Sequence, residues 1–448
     1  MFNELIKIFP YGLLALSNAV YTAPPVPPIL IVTEESTTVT ASWTTVEGAN
    51  GYHLFYAPYP SADSINSINM GAKTNLSVKL WNEAAFYVAV KSYNNEGRSG
   101  YSNIESFTLE CPPNGDKCDQ LKTLVKAWAS KAMIPSVMLR AEDSNGVIYS
   151  GSAGQKSFHD DRAVTAESYF RAASVGKLFT AVAVLRLVEK GVLNLDDSIG
   201  KFLPEALVNR LHQGKRPSIT IRQLLSHTSG LANIDNDPAK NAWLAQQPQQ
   251  PKKPAELLDF ALKLGPQFEP GSSQLYTSAG YIVLGMVIEA VTGKAYHEIV
   301  RRDVLKPLRL DNTFEETHEL PASVTPIHSY AGDYDMNLIH PSMEFADGGF
   351  VTTTADLTRF GKALARGEPF TDPQTLKLMM EPYGTELIGL GPFVGNTENG
   401  DWYFYHPGHW GVMLFVVPSK QLAIAFTINQ SEADYSQFLD QILEIVLY

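Results

Sequence analysis

From residue 120 onward, strand-like runs stand early and late in the sequence and helix-like runs fill the middle. The stretches 136–141 and 146–150 read as paired strands, and those at 402–405, 412–418 and 422–428 as a second group. Helical patterns cover 120–130, 174–190, 277–292, 354–364 and 435–447. Strands so far apart can bury their apolar faces together only in one sheet built from both ends. The order therefore implies one sheet built from both ends, with a helical domain against it.

Upstream the period is two. Val39, Ala41 and Trp43 alternate with polar residues, as do Tyr52, Leu54 and Tyr56, and Phe86, Val88 and Val90, with Gly, Asn and Pro between the runs. Such spacing suits an all-β sandwich. The runs around Trp43, 51–56 and 86–97 resemble a fibronectin type III domain over residues 24–108, which implies a spacer or adhesion unit that could meet a cell-envelope polymer. Residues 1–19, with one lysine, an apolar stretch and small residues at Ser17 and Ala19, read as a signal peptide. Residues 109–119 form a linker whose Cys111 and Cys118 suit a disulfide, and these are the only two cysteines in the chain. Both features point to a secreted or periplasmic protein. No later stretch has the apolar length of a membrane span.

The charge balance excludes one class of partner. The net charge is -12, from 35 basic and 47 acidic residues, and no basic run stands out, which argues against nucleic acid.

Ser174 and Lys177 lie three residues apart at the head of the apolar helical run 174–190. Residues so spaced share a helix face, so the Lys177 amine can reach the Ser174 hydroxyl while the helix N-terminus favours negative charge. Ser198 and Lys201 repeat the spacing, but between Gly191 and Pro204, where Ser198 reads as an N-cap or turn residue.

Four stretches, at 170–177, 219–231, 268–281 and 406–411, together resemble the serine β-lactamase and penicillin-binding protein superfamily, in its class C β-lactamase, DD-peptidase and esterase branch. The resemblance covers 120–448, nearly three quarters of the chain. It implies an α/β domain with an antiparallel sheet flanked by helices and a helical subdomain, and an acyl-serine mechanism with Ser174 as nucleophile, Lys177 and Tyr276 handling protons, and no cofactor or metal. Tyr276 is the expected base, its phenol made more acidic by Lys177. Ser278 stands where this branch carries asparagine; it keeps a hydroxyl for Lys177 but loses the amide that would hold an acylamino carbonyl. His406-Pro407-Gly408 resembles the branch's Lys/His-x-Gly strand: His406 would supply a cation or hydrogen-bond donor facing the tyrosine, Gly408 would leave room for substrate, and the backbone N–H groups of Ser174 and His409 would form the oxyanion hole. Pro407 offers no hydroxyl for a substrate carboxylate, which moves weight toward an esterase and away from a D-alanyl-D-alanine carboxypeptidase or β-lactamase. A register with His409-Trp410-Gly411 as the motif stays open.

Other residues have plainer readings. His227 reads as a satisfied core histidine, and Asp347-Gly348-Gly349 as a tight turn into a helix cap. The pairs at 297–298 and 318–319 lack the second histidine of a zincin helix, and no Gly-x-Ser-x-Gly elbow is present. The expectation is a multidomain serine hydrolase acting on a small-molecule or peptide acyl substrate. A catalytically inactive cell-surface binding protein is the alternative of another class.

Overall fold

In a computed structural model, residues 23–112, 116–212 and 218–447 are described. The expected signal peptide, 1–19, lies outside them.

Two antiparallel sheets make the N-terminal module. Leu30–Glu35, Thr38–Trp43 and Asn75–Lys79 form one; Asn66–Gly71, Gly51–Pro58, Ala85–Asn94 and Gly97–Arg98 form the other, with Glu105–Thr108 also paired to Ala85–Asn94. Alternation places Val39, Ala41 and Trp43 from one sheet against Tyr52, Leu54, Val88 and Val90 from the other, and these side chains are the module's core. Cys111 and Cys118 are joined by a disulfide where the chain leaves the module. Lys122 beyond it reaches back to Glu83 and Glu110, at 2.8 and 2.6 Å.

Among the described residues the larger domain has a seven-stranded antiparallel sheet. Its order is Asp160–Ala163, Gly146–Ser157, Ser136–Asp143, Leu422–Thr427, Val412–Val417, Trp402–Gly408, Phe393–Asn396. The early and late groups meet where Ser136–Asp143 pairs with Leu422–Thr427. The central strands are apolar on both faces because both are covered. In Val412–Val417, Met413, Phe415 and Val417 face a core shared with the helices Lys117–Ala129 and Tyr435–Leu447, while Val412, Leu414 and Val416 face the helical side. Gly361 of the helix Thr354–Ala365 allows close packing there, since a Cβ on it would lie 2.7 Å from Val416 Cγ2.

The helix Lys177–Glu189 is buried nearly all round. Its start differs from the continuous helix expected over 174–190. The strand Phe170–Arg171, paired with Phe350–Thr352, ends in a 3₁₀ turn, Ala173–Gly176, and the α-helix begins only at Lys177. The reason is local: Ala173 takes φ 48, a left-handed conformation that turns the chain sharply out of the strand.

Candidate active site

The 3₁₀ turn puts Ser174 on the wall of a cleft of about 780 Å³, which Tyr276, Ser278, Asp347, Pro407, Gly408 and His409 also line. Lys177, one turn on, has no exposed surface. Its Nζ donates to Ser174 Oγ at 2.9 Å, to Ser278 Oγ at 3.0 Å and to the Asp347 carbonyl at 2.9 Å. An ammonium has three N–H bonds and no acceptor, so these three oxygens suit its protonated form. Burial alone would lower its pKa, but the Tyr276 oxygen and the carboxylates of Asp347, Asp235 and Glu344 outweigh burial and hold it above the ordinary lysine range.

Because Ser174 Oγ accepts from Lys177, its own proton is free to point elsewhere, and Tyr276 lines the same cleft with its ring centroid 5.2 Å from Lys177 Nζ and its phenol acted on by both Ser174 and Lys177. Tyr276 precedes the helix Ser278–Thr292, capped by Thr277, whose side chain accepts from Ala279 N. Two neighbours hold the Tyr276 ring. His227 stacks on it at 4.5 Å between centroids and accepts from Thr277 N through Nδ1 at 3.1 Å; Phe393 stacks at 5.9 Å. The expectation of a more acidic phenol is corrected: burial pushes Tyr276 up to about 12, against the pull of Lys177 and of its hydrogen bond to Ser174.

His406 also departs from expectation. It is fully buried on Trp402–Gly408, with its ring centroid 6.0 Å from that of Tyr276. Its Nδ1 lies 2.7 Å from the Pro407 carbonyl, an acceptor, so Nδ1 carries the proton and Nε2, which has no partner, is a bare lone pair. Burial, then Lys177, push its pKa down to about 3. A cation at 406 therefore does not fit, and the positive charge beside Tyr276 is Lys177. His227 is likewise pushed well below the usual histidine range, by burial first and Lys177 second. It is satisfied only on one side, since its Nε2 lacks a partner.

Gly408 has a second close neighbour besides the cleft. A Cβ there would meet the Ala172 carbonyl oxygen and Val412 Cβ, each at 2.9 Å, so the missing side chain makes room for the Ser174 turn as well as bordering the cleft. The strand ends at Gly408 and His409–Gly411 forms a second tight turn, packed on Ala173–Gly176, with Trp410 at φ 66. Trp410 is buried beside Leu244, Ile339 and Met343. Both registers considered for the motif thus border the cleft, 406–408 as strand and 409–411 as turn. Ser198 caps its own turn, accepting from Gly200 N at 3.1 Å.

The sequence reading missed one wall. Asp347 belongs to a short helix, Phe345–Gly348, and not to a simple turn. Its Oδ2 lies 4.0 Å from Lys177 Nζ, while burial pushes its carboxyl up to about 8 against the pull of Lys177. Asp235 and Glu344 line the same cleft. The only local hint was a charge at 347 between apolar neighbours, Phe345 and Phe350. The structure also gathers His297, Glu315 and His318, with ligand atoms within 4.8 Å of one another. The two imidazoles stack 9° from parallel with centroids 4.6 Å apart, and His318 Nδ1 lies 2.8 Å from Glu315 Oε2.

Comparison with known proteins gives a consistent picture. The Beta-lactamase family matches residues 121–446. Penicillin-binding protein 4* of Bacillus subtilis (strain 168) is 24% identical over 361 residues, spanning 74% of this chain and 76% of that protein. Among solved structures, a D-stereospecific amidohydrolase from Streptomyces sp. aligns with TM-score 0.64 at 26% identity, over 74% of this chain and 99% of its own. EstCE1, described as a hydrolase with promiscuous acyltransferase activity, shares the fold at TM-score 0.60 and 22% identity, over 74% of this chain and 99% of its own.

Proposed function

The chain belongs to the Beta-lactamase family and is a serine hydrolase, and from that premise we propose that it cleaves ester or amide substrates through an acyl enzyme on Ser174, with esters favoured. The observation that carries this reading is the 2.9 Å contact from Lys177 Nζ to a Ser174 hydroxyl on the wall of an open cleft. In the proposed step Ser174 Oγ bonds to the substrate carbonyl carbon. Its proton passes to the Tyr276 oxygen while the phenol's own proton passes to the leaving group, so the bond to that group breaks without a charged tyrosine at rest. This relay suits a phenol whose pKa burial has raised. Lys177 holds Ser174 and Ser278 in place and stabilises charge passing through the phenol. The N–H groups of Ser174 and His409, on adjoining turns, would receive the oxyanion. Water then repeats the sequence on the acyl enzyme, and Tyr276 returns its proton to Ser174.

Pro407 and Ser278 support the esterase reading over a carboxypeptidase or β-lactamase, since neither brings the group that would grip a carboxylate or an acylamino carbonyl. We assign the N-terminal module, over 24–108, a fibronectin type III-like spacer role and place the protein outside the cytoplasm, in keeping with the Cys111–Cys118 bridge. Among the described residues no helix is long and apolar enough to cross a membrane.

The test is covalent labelling with a fluorophosphonate followed by mass mapping, alongside p-nitrophenyl acetate hydrolysis. The label is expected on Ser174, and Ser174→Ala is expected to lose label and about 10³-fold or more of turnover. Absence of label, or label at another serine with turnover surviving Ser174→Ala, would refute the reading.

A further inference from the structure

We propose that the acidic wall of the cleft, formed by Asp235, Glu344 and Asp347, binds a protonated amine carried by the substrate near its scissile carbonyl. This rests on the acyl-hydrolase reading above and names its substrate class.

The first ground is an unmet demand. Asp347 is 6% exposed, lines the cleft, and its Oδ1 has no hydrogen-bond partner. A buried carboxyl oxygen without a partner is costly, and a polar group brought by the ligand removes the cost. The neighbouring ammonium does not meet the demand, because Lys177 spends its N–H bonds on Ser174, Ser278 and the Asp347 carbonyl and stands 4.0 Å from the Asp347 carboxylate.

The second ground is the company Asp347 keeps. The groups that act on it are Lys177, Glu344, Asp235 and Lys240, and its own charge adds to those of the other two acids. While Asp347 keeps its proton two acids face two amines, and once it gives that proton up it offers an arriving ammonium a further carboxylate. The burial that pushes Asp347 up to about 8 is what an arriving ammonium would reverse, with release of a proton.

The third ground is position. Asp347 is one lysine away from the nucleophile, so an amine at this wall sits close to the carbonyl that Ser174 attacks. The same wall repels a substrate carboxylate, in agreement with the missing hydroxyl at Pro407.

The experiment separates binding from turnover. Ser174→Ala protein, which cannot be acylated, is titrated by calorimetry with alaninamide and with N-acetylalaninamide, in both enantiomers, at low salt. Alaninamide is expected to bind at least tenfold more tightly than its neutral counterpart, and Asp235→Asn or Glu344→Gln in that background to cut the ratio at least threefold. Both replacements are isosteric and avoid the residue that touches Lys177. Equal affinity for the two amides, or a preference that neither replacement reduces, overturns the proposal. If wild-type protein turns over p-nitrophenyl acetate but shows no amine preference, the amine site falls and the hydrolase stands. If the preference holds without any ester turnover, the amine site stands and the hydrolase reading falls.

Discussion

Two imidazoles border Tyr276, and burial keeps both uncharged. His227 orients the ring through stacking and its Thr277 contact; His406 closes the far side with a lone pair. Their neutrality has a cost that depends on pH. The unfolded chain binds a proton at each histidine below about pH 6.5, whereas the folded chain does not bind one at His406 until about pH 3. Below pH 6.5 the unfolded state therefore holds more protons, and stability falls as pH falls, by about 1.4 kcal/mol per pH unit for each such histidine. Asp347 acts with the opposite sign, since its raised carboxyl lets the folded chain keep a proton up to about pH 8. A difference measurement isolates the histidine: urea midpoints from pH 7 to 5 should fall less steeply for His406→Asn than for wild type. Catalysis has its own residue-scale expectations. Lys177→Met should lower ester turnover by about 10³-fold, and Tyr276→Phe, which loses the relay but keeps the ring stack, by about 10²-fold or more, measured as kcat with p-nitrophenyl acetate. Ser174 and Lys177 were legible because helical spacing is local. The charge at His406 was not, because neutrality comes from burial by residues remote in sequence.

Two tight turns border the candidate site, and each holds a non-glycine residue at positive φ, Ala173 at 48 and Trp410 at 66. Conformations of this kind cost about 1–3 kcal/mol and persist where surrounding packing fixes them. Here Phe170–Arg171, paired on Phe350–Thr352, anchors one turn, and Trp410 in its apolar cluster anchors the other. Gly408 lets them approach. Gly408→Ala would set a methyl 2.9 Å from the Ala172 carbonyl and move the strand away from the nucleophile turn. The expected outcome is a loss of about 1–3 kcal/mol of stability by urea denaturation, with kcat falling more than KM rises. From sequence the elements themselves were readable: the helix expected over 174–190 runs over 177–189, the strands expected over 402–405, 412–418 and 422–428 run over 402–408, 412–417 and 422–427, and the terminal helix spans 435–447 as expected. The left-handed turn at Ala173 was not, since alanine gives no local signal for positive φ.

At the scale of the whole molecule, one disulfide and a few ion pairs fasten an all-β module to an α/β domain of the Beta-lactamase family. The Cys111–Cys118 bridge spans a sequence separation of 7, so it removes little chain entropy; a loop of that size stabilises by about 2.5 kcal/mol in the loop-closure picture. The double variant Cys111→Ser/Cys118→Ser should unfold with a loss of that order while ester hydrolysis at 25 °C persists, because the bridge lies at the junction and away from the cleft. Calorimetric unfolding and p-nitrophenyl acetate turnover on the same sample check both halves.

The sequence by itself determined the two-part architecture and the sheet closed from both ends, because alternation and helical spacing are written in neighbouring residues. It also marked Ser174, Lys177 and Tyr276, whose types and order carry the family's pattern, and Ser278, which stands where the branch carries asparagine. Only the tertiary structure decided that the buried ammonium beside Tyr276 is Lys177, that His406 is neutral, and that Asp235, Glu344 and Asp347 line one cleft. Those properties depend on which distant segments exclude water from a group and which charges they bring beside it, and spacing along the chain does not encode either.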